Sequence, residues 1–314
     1  MKSDYPKKET DMPQSAQNPF LTTPLTYSTL EQWLTHLRYA YPGVRISTLA
    51  YSVFGRRIPY LLLGEGKIAV LYVATHHAME WIGGNLLLHF AEELLAREKQ
   101  QDKIIQDLFS RFRLVIVPQL NPDGVTLVLE GGDPNHPYYH RQLRMNGESE
   151  DFSHWQANAR GVDLNHNYSV GFAEYQPLQR DLGIYGGAPS LYSGLRPESE
   201  PETAALAGLV RLLHPRLILT LHTQGEEIFF DAPNATPAMH KIAQRLAALT
   251  GYKLGVAQGT AAYGGLTEWA VRCGIPAFTL ECGKGKNPLP LALAPQIYET
   301  LQDAFLCAPS LSFC

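Results

Sequence analysis

Short apolar runs rich in β-branched residues alternate along this chain with longer segments in which apolar residues recur every three or four positions. The short runs predict buried strands, and the periodic segments predict helices with one face on a core. The predicted strands are residues 44–49, 57–63, 68–73, 113–119, 217–221 and 276–280, and the predicted helices are residues 28–40, 81–99, 236–249 and 290–306. Because strands alternate with helices, the pattern predicts an α/β fold.

Three local patterns add detail. Ser28 and Glu31 have the spacing of a capping box at the start of the first helix. Gly83 and Gly84 are costly inside a helix, so they predict close packing against a neighbouring segment. Residues 121–124, Asn-Pro-Asp-Gly, predict a turn, and the residues from there to 165 lack clear periodicity. An irregular segment of this length usually carries function.

The first 24 residues are polar and rich in proline, which predicts a flexible arm. Residues 25–314 show no internal repeat and no further linker, so they are predicted to form one domain. A chain of 314 residues, of which 45% are hydrophobic and 18% charged, is long enough to bury a sizeable core.

The charge and the apolar runs disfavour several classes of partner. The net charge of −4 argues against a nucleic acid or an anionic membrane as the main partner, and no apolar run reaches the length of a membrane span. The first residues contain no apolar stretch after the lysines, so we expect no secretory leader and a cytoplasmic protein. The cysteines lack C-x-x-C spacing, which predicts free thiols at Cys273, Cys282, Cys307 and Cys314. No pattern indicates an oligomeric state.

Three of the predicted strands end in residues that can bind a metal or carry a proton. The first leads to His77 and, three residues later, to Glu80, while the other two end in His222 and Glu281. In an open α/β sheet the ligand crevice lies at the carboxyl ends of the strands, so these side chains are expected to meet. Imidazole and carboxylate are both zinc ligands, and a catalytic zinc needs three protein ligands with one position left open.

Five motifs, in the same order, resemble those of the zinc carboxypeptidases, and the resemblance covers the chain from about Tyr27 to the C-terminus. The motifs are THHAMEW at 75–81, NPDG at 121–124, GVDLNHN at 161–167, LHTQGE at 221–226 and FTLECGKGKNPLP at 278–290. The last motif most resembles that of the bacterial γ-D-glutamyl-L-diamino acid endopeptidases. The resemblance implies a single-domain fold with a carboxypeptidase-like mixed β-sheet flanked by helices.

The resemblance also implies a role for each residue of the metal centre. His77, Glu80 and His222 would hold one Zn²⁺ per chain. Asp163 would orient the first histidine through its second ring nitrogen, as carboxylates commonly do beside zinc. Glu281 would be the general base that takes a proton from the attacking water and passes it to the leaving amine.

The same motifs indicate residues that bind the substrate. Arg160 is assigned to the developing oxyanion, where positive charge is needed, and Arg144 is the reserve candidate. Asn165 matches a substrate-binding residue of the family, but His166 stands where the exopeptidases have an arginine that grips the terminal carboxylate. An imidazole cannot form the bidentate fork of a guanidinium, which weakens the case for an ordinary carboxypeptidase.

Further positions fall near the family's substrate pocket. Tyr263 lies close to the position of the tyrosine that closes over the substrate, and Thr267 falls where the side-chain pocket is set. Thr267 offers a hydroxyl without charge, so by itself it predicts no strong selection for a basic or acidic side chain. The acidic residues of the segment 197–202, PESEPE, are interpreted as solvated charges at a helix N-terminus with no role in chemistry.

The residues and the resemblance together predict a zinc metallopeptidase. Its expected reaction is hydrolysis of the γ-D-glutamyl–diamino acid bond, with meso-diaminopimelate as the diamino acid, in small peptides derived from peptidoglycan. A metallocarboxypeptidase of another C-terminal specificity and an amino-acid deacylase of the same fold are the alternatives. A relative that binds peptides without cutting them is disfavoured, because it would be expected to have lost a ligand or the glutamate.

Overall fold

The computed structural model describes residues 18–311, and its strands form one mixed sheet of eight. The strands are β1 (Arg45–Tyr51), β2 (Arg57–Leu63), β3 (Ile68–Ala74), β4 (Phe112–Val117), β5 (Leu217–His222), β6 (Glu227–Phe229), β7 (Lys253–Leu254) and β8 (Ala277–Glu281). The described helices are α1 (Pro19–Thr22), α2 (Tyr27–Ala40), α3 (Ile82–Lys99), α4 (Lys103–Arg111), α5 (Pro122–Glu130), α6 (Tyr139–Met145), α7 (Phe172–Asp181), α8 (Pro201–Leu213), α9 (Pro237–Thr250), α10 (Leu266–Arg272) and α11 (Ala294–Leu311).

The order of the strands across the sheet is β1-β2-β4-β3-β5-β8-β6-β7. The central strands β4, β3, β5 and β8 run parallel, whereas β1, β2 and β6 pair antiparallel with their neighbours toward the centre. The predicted α/β fold with a mixed sheet flanked by helices is confirmed.

Strand β3 lies near the middle of the sheet because it is apolar on both faces. Residues 69–74 are all buried, as expected for a parallel strand that is covered by helices on both sides. The hydroxyl of Tyr72 on β3 donates a hydrogen bond of 2.8 Å to the carbonyl oxygen of Phe305 in α11. This bond pairs a buried polar group that would otherwise cost free energy of folding.

Helix α3 is closely packed at its two glycines, which confirms the prediction for them. A Cβ on Gly84 would lie 2.5 Å from the carbonyl oxygen of Pro118 and 2.5 Å from Leu25 Cδ2. A Cβ on Gly83 would lie 3.2 Å from Ala74 Cβ. Any larger residue at Gly84 would therefore push α3 away from Pro118, which follows β4, and from Leu25.

The predicted capping box at the start of α2 is wrong. The hydroxyl of Thr26, and not that of Ser28, accepts the hydrogen bond from the first turn of the helix. Glu31 instead pairs with Arg57 on β2, at 2.7 Å between carboxylate oxygen and guanidinium nitrogen. The long side chain of Glu31 is therefore engaged between two elements rather than at the helix end.

The sequence predicted a turn at residues 121–124, but these residues begin helix α5 instead. The side chain of Asn121 accepts a hydrogen bond from the backbone N–H of Gly124, and Pro122 occupies the first helical position. Asparagine as cap and proline just inside are both favourable at a helix start. The segment predicted to be irregular therefore contains most of α5 and all of α6.

The described part of the predicted flexible arm is packed against the domain. Phe20 and Leu21 in α1 are buried, and the side-chain amide of Asn85 donates a hydrogen bond of 2.6 Å to the carbonyl oxygen of Phe20. Residues 18–24 are thus packed against the domain and do not belong to a flexible arm, and residues 1–17 lie outside the described residues.

The described cysteines, Cys273, Cys282 and Cys307, are free thiols, and Cys314 lies outside the described residues. Over residues 18–311, none of the helices combines the length and the apolar character that crossing a membrane requires.

Candidate metal centre and cleft

The carboxyl ends of β3, β5 and β8 meet at one edge of the sheet. In the parallel pairing Ala74 lies opposite Leu221, and His222 lies opposite Glu281. His77 follows β3 and precedes a single 3₁₀ turn, Ala78–Glu80, which turns Glu80 back toward the strand ends. Residues far apart in the sequence are therefore neighbours at this edge.

Three of these side chains converge on one point. The Nδ1 atoms of His77 and His222 are 3.2 Å apart. Glu80 Oε1 lies 3.0 Å from His77 Nδ1, and Glu80 Oε2 lies 2.9 Å from His222 Nδ1. Neighbouring ligand atoms of a tetrahedral zinc are about 3.3 Å apart. The two ring nitrogens face each other, and the Glu80 carboxylate lies beside both, an arrangement that suits one shared cation. Among the described residues, this is the group of side chains that could hold a metal ion.

Glu80 is held as an anion by its neighbours. Burial alone raises the pKa of its carboxyl, but the charges of His77 and His222 outweigh burial and lower that pKa. The backbone N–H of Thr223 donates to Glu80 at 3.3 Å, and the side chains of Thr223 and Asn287 bond each other at 2.7 Å. Sequence reasoning assigned no role to Thr223 or Asn287, although both lie in motifs that resemble the family's.

Asp163 contacts the other ring nitrogen of His77. Its Oδ1 atom lies 3.2 Å from His77 Nε2, and its Oδ2 atom accepts a hydrogen bond of 3.0 Å from the backbone N–H of Leu191. A carboxylate at Nε2 favours the tautomer that carries its proton there, which leaves the lone pair of Nδ1 for a metal.

We expect Asp163→Asn to lower both zinc affinity and kcat/KM by about 10- to 100-fold, because the amide carries no charge to hold the imidazole. Competition with a chelating dye measures the affinity, and circular dichroism checks that the variant is folded. If affinity and rate both stay within twofold of the unsubstituted chain, Asp163 merely caps the turn.

A cleft of about 200 Å³ opens beside the strand ends. The residues that line it are His77, Asn165, His166, His222, Phe229, Val256, Ala257, Gln258, Ala261, Thr267, Glu268, Thr279 and Glu281. Burial raises the pKa of the Glu281 carboxyl, the direction that suits a group that must accept a proton. The hydroxyls of Thr267 and Thr279 lie 2.7 Å apart and make this wall polar.

His166 lines the cleft as a neutral ring. It stacks on Tyr175 with ring centroids 4.1 Å apart, and its Nδ1–H donates to the carbonyl oxygen of Tyr263 at 2.8 Å. Burial lowers the pKa of His166, so the imidazole carries no charge at pH 7. Tyr263 contacts the site through this carbonyl, whereas it is not one of the residues that line the cleft. Asn165 lines it as predicted, and its Oδ1 lies 3.3 Å from the backbone nitrogen of Leu266.

Sequence reasoning missed Glu268, which follows Thr267 in α10 and also lines the cleft. Burial, with a smaller contribution from nearby Asp231, raises the pKa of its carboxyl to about 7, although backbone hydrogen bonds and Arg272 act in the opposite direction. Lysine and arginine are absent from the described residues that line the cleft, so no cation faces Glu268 from within the cleft, and Arg272 acts on it from outside. Its place next to Thr267 was a signal that could have identified it.

Neither predicted arginine is among the described residues that line the cleft, and their assignment to the oxyanion stays a prediction. Arg160 Nε lies 2.9 Å from Glu200 Oε2 in a separate cavity. Arg144 is exposed in the last turn of α6. A buried carboxylate attracts Arg160 away from the cleft.

The prediction that the acidic residues of PESEPE are solvated is wrong for Glu200 and Glu202, which are both buried. The side-chain amide of Asn158 lies 2.7 Å from the first carboxylate and 3.3 Å from the second. Burial raises the pKa of Glu202 to about 7. Asn158 Oδ1 also accepts the backbone N–H of Arg160 at 3.0 Å, so the acidic pair anchors the loop that leads to Asp163.

Comparison with known proteins agrees with this geometry. A family model described as zinc carboxypeptidase matches residues 30–306. γ-D-Glutamyl-L-diamino acid endopeptidase 1 of Lysinibacillus sphaericus is 31% identical over 286 residues, which cover 89% of this chain and 71% of the endopeptidase. Two solved structures share the fold. Carboxypeptidase A from Helicoverpa armigera has a TM-score of 0.72 at 18% identity, over 98% of this chain and 77% of that one. Thrombin activatable fibrinolysis inhibitor has a TM-score of 0.72 at 19% identity, over 94% of this chain and 75% of that one.

Proposed function

This chain belongs to the zinc carboxypeptidase family and is a zinc-dependent peptidase, and from that premise we propose that it hydrolyses the bond between a γ-D-glutamyl residue and a diamino acid. The substrates are small peptides derived from peptidoglycan, with meso-diaminopimelate as the diamino acid. The similarity to the endopeptidase of Lysinibacillus sphaericus, which extends over most of both chains, supports this proposal.

The observation that carries the proposal is the charge of the cleft. Its wall offers the carboxylate of Glu268, and no arginine or lysine is among its described lining residues. A terminal carboxylate, which the proposed tripeptide shares with an ordinary carboxypeptidase substrate, gains little from this wall, so the distinguishing group must be a cation. A diamino acid carries a second ammonium group, which a buried carboxylate binds through charged hydrogen bonds.

The residues at the strand ends divide the chemistry between them. His77, Glu80 and His222 would hold Zn²⁺, which when bound would polarise the scissile carbonyl and make water a stronger acid. Glu281 takes a proton from the attacking water as its oxygen bonds the glutamyl carbon. The same carboxyl gives that proton to the nitrogen of the diamino acid as the carbon–nitrogen bond breaks.

Digestion of L-Ala-γ-D-Glu-meso-diaminopimelate, read by mass spectrometry with and without a chelator, tests the proposal. We expect chelator-sensitive release of diaminopimelate. We also expect the peptide with L-Lys in place of diaminopimelate to be cleaved faster than the peptide with norleucine, which has no second ammonium. In Glu268→Gln this preference for L-Lys should fall by about tenfold, the scale of one charged hydrogen bond.

Two results would contradict the proposal. One is a protein that holds one zinc ion per chain, cleaves no γ-D-glutamyl peptide and releases the last residue of α-linked peptides. That result would indicate a metallocarboxypeptidase of another specificity. The other is an unchanged preference in Glu268→Gln, which would remove the carboxylate from substrate recognition. Glu226→Gln, an exchange of a glutamate that does not line the cleft, is the matched control.

A further inference from the structure

Three arginine side chains line a second cavity, of about 530 Å³, which we call the arginine cavity. They are Arg141, Arg160 and Arg196. Glu200 is the one carboxylate among the described lining residues, and it already pairs with Arg160. Three positive side chains against one negative leave two uncompensated positive charges. The cavity therefore has the opposite sign to the chain as a whole, whose net charge is −4.

Arg141 and Arg196 are exposed and have no carboxylate within ion-pair distance in the part of the chain that the structure describes. The guanidinium of Arg141 lies over the ring of Tyr138, 5.9 Å from its centroid. Arg196 lies 3.5 Å from the carbonyl oxygen of the next residue, which is a weak contact. Both guanidinium groups are therefore available to an anion that enters the cavity.

Asp163 lies between the arginine cavity and the cleft and is not among the lining residues of either. Arg160 and Val162 line the cavity, whereas Asn165 and His166, a few residues later, line the cleft. Asp163 lies between them and contacts the metal ligand His77. The far wall of the cavity is tied to the same residue, because the backbone N–H of Asp163 donates to the carbonyl oxygen of Tyr192 at 2.7 Å. The two cavities thus flank one support of the metal centre.

We infer that the arginine cavity binds a carboxylate on the acyl side of the scissile bond. This inference rests on the proposed function, in which the cleft receives the diamino acid that leaves. When glutamate is linked through its side-chain carboxyl, its α-carboxylate stays free and lies close to the reacting carbonyl. An α-linked glutamate keeps its side-chain carboxylate at the same number of bonds from the reacting carbonyl, so this site would recognise the anion itself and not the linkage. A guanidinium matches a carboxylate in charge and in its two-pronged geometry.

The test compares two substrates that differ only in this group, L-Ala-γ-D-Glu-meso-diaminopimelate and its counterpart with the α-carboxylate as a primary amide. We expect wild-type kcat/KM to be at least about tenfold higher for the carboxylate, the scale of one charged hydrogen bond. In Arg141→Ala/Arg196→Ala this ratio should fall to near one, and in Arg196→Lys it should be partly kept. Arg160 is left in place because its loss would leave the buried carboxylate of Glu200 without its positive partner. Arg38→Ala, an exposed arginine that lines neither cavity, should keep the full ratio.

A binding measurement separates failure of this inference from failure of the proposed function. Calorimetry on the zinc-loaded protein compares L-Ala-D-Glu with its α-amide. Suppose that neither peptide substrate is cleaved, but that L-Ala-D-Glu still binds more tightly than its α-amide and does so only when Arg141 and Arg196 are present. The proposed reaction is then wrong, and the arginine site stands. Equal dissociation constants in the wild type, or discrimination that survives in the double variant, would overturn the arginine site.

Discussion

Glu281→Gln is expected to lower kcat by about two to four powers of ten, the usual range for loss of a general base. Glutamine has nearly the same shape as glutamate but cannot accept the proton of the attacking water. Glu281 is not one of the three converging ligand side chains, so the zinc content should stay at that of the unsubstituted chain. The expected outcome is therefore a folded, zinc-loaded protein with almost no turnover.

Single-turnover hydrolysis and elemental analysis of the same preparation measure these two quantities together. Glu227→Gln is the matched control, because Glu227 lies opposite Glu281 in the antiparallel pairing of β6 with β8. A comparable loss in the control would indicate that negative charge at this edge, and not proton transfer by Glu281, supports the reaction. A rate for Glu281→Gln within tenfold of the wild type would refute its role as the base.

His222→Ala is expected to remove zinc and activity together. The substitution leaves His77 and Glu80 as a pair, and two ligands do not satisfy a metal that is normally held by at least three protein groups. Zinc should be absent after dialysis, and hydrolysis should fall below detection. The temperature of unfolding should also fall, because a metal that binds only the folded chain contributes its binding free energy to stability.

The exposed His36 in α2 supplies the control, since His36→Ala changes the same residue type away from the sheet edge. Circular dichroism of His222→Ala must show the secondary structure of the wild type for the comparison to hold. One zinc ion per chain in a folded His222→Ala would show that the metal is held by a different set of residues.

The strand ends and their chemistry could be predicted from the sequence for a physical reason. Parallel strands that are covered on both faces are nearly continuous apolar runs, so β3, β5 and β8 stand out in the pattern. The residues that end or soon follow each run lie at the same sheet edge, where His77, His222 and Glu281 are found. No coordinates were needed to place these three together.

The surroundings of charged residues could not be predicted in this way, because their partners are distant in the sequence. Acidic residues are common and solvated at helix starts, and no local pattern shows that Asn158 and Arg160 cover Glu200. Spacing placed Arg160 just before the GVDLNHN motif, but its side chain turns to Glu200, 40 residues later. The cleft consequently has a different set of charges from the one predicted.

The misassigned turn at residues 121–124 has a different cause. Asparagine and proline favour both turns and helix starts, and only the residues that follow decide between them. Here the following segment buries Val125 and Leu127, so the chain continues as a helix.

The position of β3 next to β5 has a consequence for how the chain folds. His77 and His222 are 145 residues apart, and they meet only when these two strands pair. Closing a loop of this length costs chain entropy before any contact is gained, and long-range strand pairing is slow for that reason. His77, Glu80 and His222 therefore come together only in molecules in which β3 and β5 have paired, so zinc uptake during refolding should not precede that pairing.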